Sequence, residues 1–232
     1  MTTLDVGAGA REVLARPARG RVVSVHRVAA YLRFPTGLLA LTTGRAPRGP
    51  LHLRVAVLPA LAPGDRVHTD GAVLAGARWA VDLAAPTWVG ALPAADRRGG
   101  ASPAAPGDPV RDLAALAAVV GGRGPGLTPS GDDLLAGALL AVRAARGGAG
   151  LAAVAASVST TEVAEAFLHW AARGQSIEPA HGWLTATADG DTGRAAHARA
   201  RLLGVGASSG AALLRGMQLG LAGLPRLHAG GT

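Results

Sequence analysis

Along LHLRVAVL, Leu51, Leu53, Val55 and Val57 alternate with His52 and Arg54, the period of two that places one face of a strand on a core and the other in solvent. The segments 21–28, 38–43, 66–75 and 78–83 read the same way; in RWAVDL, Trp79, Val81 and Leu83 oppose Arg78 and Asp82. Breaks at Pro47-Arg48-Gly49-Pro50 and Pro63-Gly64-Asp65 separate them. About five strands over residues 20–85 follow, in a mostly antiparallel sheet or small barrel. Residues 86–107, rich in Pro, Gly, Ala and Asp, read as a linker.

The period then changes to that of helices. Asp108 followed by Pro109 is a helix start. A second helix begins within Thr128–Asp133 and runs to Arg146, where Gly147-Gly148 stops it. Ser159 with Glu162 fits a capping box, with Val163, Phe167 and Trp170 at helical spacing behind it. Helices near 192–203 and 209–222 complete the set. The expected fold class is α+β, with a β-rich N-terminal domain over 1–107 and an α-helical domain over 108–232.

Inside the helical part, SGDDLLAGALLA (130–141) and SGAALLRGMQLG (209–220) share Ser-Gly, Leu-Leu and Gly at matching offsets, each behind a glycine turn. Two related helix starts facing each other are implied.

Composition removes several chemistries. With no Cys there is no disulfide, thiolate nucleophile or Cys-ligated zinc. All 23 basic residues are Arg, so neither a Lys-bearing P-loop nor a Schiff base is available. The net charge of +8 comes from arginines scattered as singles and a few pairs such as Arg97-Arg98, with almost no aromatic partners. That pattern suits attraction of small anions better than nucleic-acid binding. The seven histidines show no zinc spacing and read as surface or packing residues, and no G-x-S-x-G elbow is present. No signal peptide and no membrane-length apolar run is found, so the protein is expected in the cytoplasm.

The chemistry concentrates in GRGPGLTPSGDDLLAG. A glycine turn entering a helix presents unpaired N–H groups and the positive end of a dipole, suited to a phosphate or carboxylate. Gly124, Gly126, Thr128, Ser130 and Gly131 are the candidate ligand-binding positions there, with Ser208, Ser209 and Gly210 in the second copy. Ser130 to Asp133 also satisfies a capping pattern, but capping needs one carboxylate. Asp132 and Asp133 are the only adjacent pair among 15 acidic residues. Together they suit a divalent cation such as Mg²⁺, an amino or amide group of a substrate, or general-base work through one raised pKa.

GPGLTPSGDDLLAG at 124–137, Thr160-Thr161, and VGASSGAALLRG at 205–216 resemble a bacterial family that includes AllH, a subunit of heteromeric oxamate carbamoyltransferase. The N-terminal strands with Gly49-Pro50 are similar as well. Leu134 stands where the family usually has Phe, and Ala211-Ala212 where its second motif often has Asp. The resemblance implies a cytoplasmic subunit working with partner enzyme subunits on carbamoyl phosphate and an oxamate-like acceptor. It would set Gly124–Ser130 near an anionic group and Asp132-Asp133 near a metal or amide. A non-catalytic assembly or ligand-binding subunit, and a phosphate- or nucleotide-responsive regulator, are the competing readings.

Overall fold

The computed structural model describes residues 1–93 and 108–224. The chain divides into two units, Met1–Gly90 and Ala91–Thr232. Most of the expected linker, with Arg97-Arg98 and the 107/108 boundary, lies outside the described residues, as does His228.

The first unit is one nine-stranded sheet, mostly antiparallel and curled into a half-barrel. Its strands are β1 (Thr3–Gly7), β2 (Ala18–Val25), β3 (Ala29–Phe34), β4 (Gly37–Thr43), β5 (His52–Val55), β6 (Arg66–Thr69), β7 (Val73–Gly76), β8 (Trp79–Asp82) and β9 (Thr87–Trp88). The order is β8-β7-β6-β2-β3-β4-β5-β1-β9, with β4–β5 and β1–β9 the parallel pairs. Thr3 Oγ1 donates to the Asp82 carbonyl at 2.5 Å, so the sheet curls far enough to bring β1 against β8.

Helix α1 (Ala8–Leu14) contributes Ala10 and Leu14 to the core formed with Val22, Leu32, Leu39, Leu41, Leu53 and Val55. A fully buried leucine of this kind contributes roughly 2 kcal/mol through burial.

Seven strands, β2 to β8, cover the stretch where about five were expected, and β1 and β9 lie outside it. The 66–75 segment is a hairpin, because Asp70 Oδ1 accepts the N–H groups of Ala72 and Val73 at 2.8 Å and Gly71 takes φ +97°. β3, whose inward positions are Ala30, Leu32 and Phe34, was hidden by the small size of alanine. A register shift between Thr3 and Asp5 obscures the alternation of β1. The 51–57 alternation ends early, since β5 stops at Val55 and Val57 is 69% exposed. His52, expected on the solvent face, is buried with Nδ1 against the Pro47 carbonyl at 2.7 Å.

The second unit contains α2 (Pro109–Val120), α3 (Ser130–Arg146), α4 (Leu151–Ala156), α5 (Glu162–Ala172), α6 (Glu178–Ala188), α7 (Thr192–Leu203) and α8 (Ser209–Ala222). The starts and stops of α3, α7 and α8 fall where the sequence puts them. Helix α3 is its centre: Leu135 to Val142 is buried without a break, with α2, α5 and α8 packed around it. A helix this apolar on all sides is stable only when enclosed. α4 and α6 were not anticipated as separate elements. The second capping box is also displaced: Thr161, not Ser159, caps α5, accepting the Ala164 N–H at 3.1 Å.

Candidate functional site

The echo between 130–141 and 209–220 is a packing device. A Cβ on Gly137 would fall 2.0 Å from the Leu213 carbonyl oxygen, and a Cβ on Gly216 would fall 1.8 Å from that of Leu134. Gly137 and Gly216 hold the same place in the two copies, as do Leu134 and Leu213, so the contact is reciprocal. A Cβ on Gly220 would come 2.8 Å from Ala141 Cβ, while at the other end Thr128 Oγ1 lies 3.1 Å from Ser209 Oγ. The helices α3 and α8 therefore run in the same sense with their backbones in contact, and their N-termini meet. Only glycine permits such an approach, which offsets its helix cost of about 1 kcal/mol.

The other shared glycine is spent similarly. A Cβ on Gly131 would meet the Val120 carbonyl at 2.0 Å, and one on Gly210 the Leu202 carbonyl at 1.7 Å. Each Ser-Gly step thus wedges its helix under the end of the preceding one.

The cap reading of Ser130 to Asp133 fails. Pro129 occupies the N-cap of α3, Ser130 is the first helical residue, and no side chain caps the helix. The N–H groups of Gly131, Asp132 and Asp133 donate to the carbonyls of Arg123 and, twice, Pro129, at 2.9–3.1 Å. These three donors are thus used internally and do not face a ligand. In the second copy Gly210 N–H donates to the Val205 carbonyl at 3.0 Å and Ala212 N–H to that of Ser208 at 2.9 Å.

The two aspartates separate. Asp132, 2% exposed, accepts the Gly122 N–H on Oδ1 at 2.7 Å and the Thr160 hydroxyl on Oδ2. Together with Thr161, whose hydroxyl donates to the Leu127 carbonyl at 2.5 Å, it fastens the 121–129 loop to the start of α5. Asp133 lies elsewhere: the hydroxyls of Ser209 and Thr128 bond its carboxyl, and Oδ2 is buried without a hydrogen-bond partner.

Consecutive helical residues project about 100° apart, and these two carboxyls find separate partners. A Mg²⁺ shared between them does not fit, because Asp132 is enclosed and committed on both oxygens. Among the described residues no three His, Cys, Asp or Glu side chains gather. His181 is a packing residue, accepting the Ser176 N–H at 3.0 Å on Nε2 with Nδ1 2.9 Å from the Ala91 carbonyl.

Burial pushes the Asp133 carboxyl up to about 6; the bond from Ser209 opposes this, the Asp132 charge adds to it, and Thr128 opposes it again. A carboxyl with this value next to two hydroxyls accepts a proton, or an N–H, at neutral pH.

Of the candidate positions, Thr128, Asp133 and Ser209 come together. Ser130 and Gly131 are half-buried at the start of α3, while Gly124, Gly126 and Ser208 are exposed around it. Gly122 and Thr160, the partners of Asp132, were not singled out as site residues; the Thr160-Thr161 pair was the available signal for the second.

These features define an α+β protein whose helical unit sets one perturbed carboxyl between two glycine-packed helix starts. Residues 120–221 match the family model described as oxamate carbamoyltransferase subunit AllH. No curated protein and no solved structure gives a match.

Proposed function

We propose that the chain is a subunit of a carbamoyltransferase-type enzyme and holds a small carbamoyl- or carboxylate-bearing ligand where α3 and α8 begin. The observation that carries this reading is Asp133, a carboxyl with a buried, unpartnered oxygen set between Thr128 and Ser209, inside the segment that matches the family. Two helix dipoles converge there, each favouring negative charge near its N-terminus. The hydroxyls of Ser130 and Ser208 replace the backbone amides as donors to an anionic group, since those of 131–133 are engaged.

In carbamoyl transfer an acceptor nitrogen attacks the carbamoyl carbon, the bond from that carbon to the phosphate oxygen breaks, and the nitrogen gives up a proton. Asp133 is the group able to take it. Asp132 is a positioning residue that fixes the loop from which Thr128 projects.

The test is reconstitution with the partner subunits and measurement of carbamoyl transfer to oxamate. Asp133→Asn should lower kcat by about 100-fold or more while the complex still assembles. It should also abolish the limb of the kcat profile near pH 6. Full turnover in that variant would overturn the reading and favour a purely assembly role.

A further inference from the structure

Arginines scattered through the sequence converge in the first unit. Arg19 and Arg21 of β2, Arg33 of β3, and Arg66 and His68 of β6 line one open groove of about 1380 Å³. Strand register explains the convergence. Arg21 is directly opposite Arg33 on one side and Arg66 on the other, and Arg19 is opposite His68. With strands about 4.8 Å apart, three arginines form a row about 10 Å wide, and the Arg19–His68 pair lies about 7 Å further along the strands.

Like charges directly opposite one another destabilise a sheet. No Asp or Glu lines the groove, and Arg19, Arg21 and Arg66 have no carboxylate partner among the described residues. Elsewhere in the same unit cations are paired, Arg54 with Asp5 at 2.9 Å and Arg48 with the same carboxylate at 3.4 Å.

We propose that this groove is a binding site for a small molecule carrying at least two phosphate or carboxylate groups. The arginine row and the Arg19–His68 pair each take one of them. Guanidinium forks match such oxygens two at a time. A polynucleotide fits less well: the charges form a compact patch, not a track, and the aromatic side chain of the lining, Phe34, is 3% exposed and offers no face for a base. Its residues belong to the first unit and Asp133 to the second, and its test does not depend on carbamoyl transfer.

The test is the melting temperature of the full chain, at constant ionic strength, with inorganic pyrophosphate, orthophosphate or an oligothymidylate. Pyrophosphate should raise Tm by several degrees and bind at least about tenfold more tightly than orthophosphate. Arg21→Gln, and independently Arg66→Gln at the end of the row, should raise Tm of the ligand-free protein by relieving the repulsion and remove the pyrophosphate shift. Variants that melt lower without ligand, an unchanged shift in both, or tighter binding of the oligothymidylate would each overturn the proposal.

Discussion

The hairpins α2–α3 and α7–α8 share more than their repeated residues. Both first helices start on an aspartate cap, Asp108 taking the Val110 N–H at 3.0 Å and Asp191 the Arg194 N–H at 2.9 Å. Both second helices slide a glycine under the last turn of the first, and both then press a second glycine against the other hairpin. They part at the third and fourth positions after the joint, where one has Asp132-Asp133 and the other Ala211-Ala212. The shared residues account for the architecture, and the unshared ones for whatever chemistry the site performs. A repeated motif is thus divided by its own two copies into a structural part and a chemical part.

The largest effect should come from the shared part. Gly137→Ala and Gly216→Ala each drive a methyl into a carbonyl, and overpacking of this kind costs about 3 kcal/mol. If the hairpins are equivalent, urea unfolding will show losses of similar size at the two sites. A large loss at one and none at the other would break the symmetry on which the comparison rests.

Next come the aspartates. Asp132→Ala removes a buried charged acceptor from a backbone N–H and a hydroxyl, a loss of about 2 kcal/mol. Ala211→Asp, at the exposed matching position, should change stability by no more than about 0.5 kcal/mol. Equal effects at 132 and 211 would show that the carboxylate is not what fixes the loop.

Asp133 should behave in the opposite sense. Its folded pKa of about 6 lies above the ordinary 3.8, so between those values the native protein keeps a proton that the unfolded chain has released. The stability this contributes is complete below pH 4 and is lost as pH rises through 6. Asp133→Asn should therefore be more stable than the wild type by about 1–3 kcal/mol at pH 7.5 and no more stable at pH 4. His181, whose burial lowers its pKa, responds to pH in both proteins alike and cancels from the difference. A variant less stable than wild type at pH 7.5 would mean that the carboxylate is held for structure and not against it.

Much of the helical unit is legible in the chain, because Asp108-Pro109, the SGDD step and the Gly147 stop are local signals. α4 and α6 were not legible: one is a six-residue turn of mostly alanine, the other has Gly182 in its middle. The site was legible in composition but not in roles. Choosing Asp133 over Asp132 requires knowing that Thr160, 28 residues away, returns to occupy Asp132. The cap was misassigned by a single residue, since Pro129 takes the place expected of Ser130. The arginine groove was hidden altogether, because residues 21, 33 and 66 become neighbours only through strand register.

The smallest effect separates the first helices of the two hairpins. Asp108→Ala and Asp191→Ala each remove one N-cap bond, worth about 1 kcal/mol in either helix. The consequences should nevertheless differ locally. α2 is anchored by buried Leu113, Leu116 and Ala117, whereas α7 buries only Ala198 and Leu202. A helix with fewer buried anchors opens independently of the rest at lower free energy. Amide exchange in α7 should therefore accelerate about fivefold in Asp191→Ala, the rate equivalent of 1 kcal/mol, while Asp108→Ala lowers protection only through global stability. Equal acceleration within the two helices would mean that α7 is held by contacts other than its buried side chains.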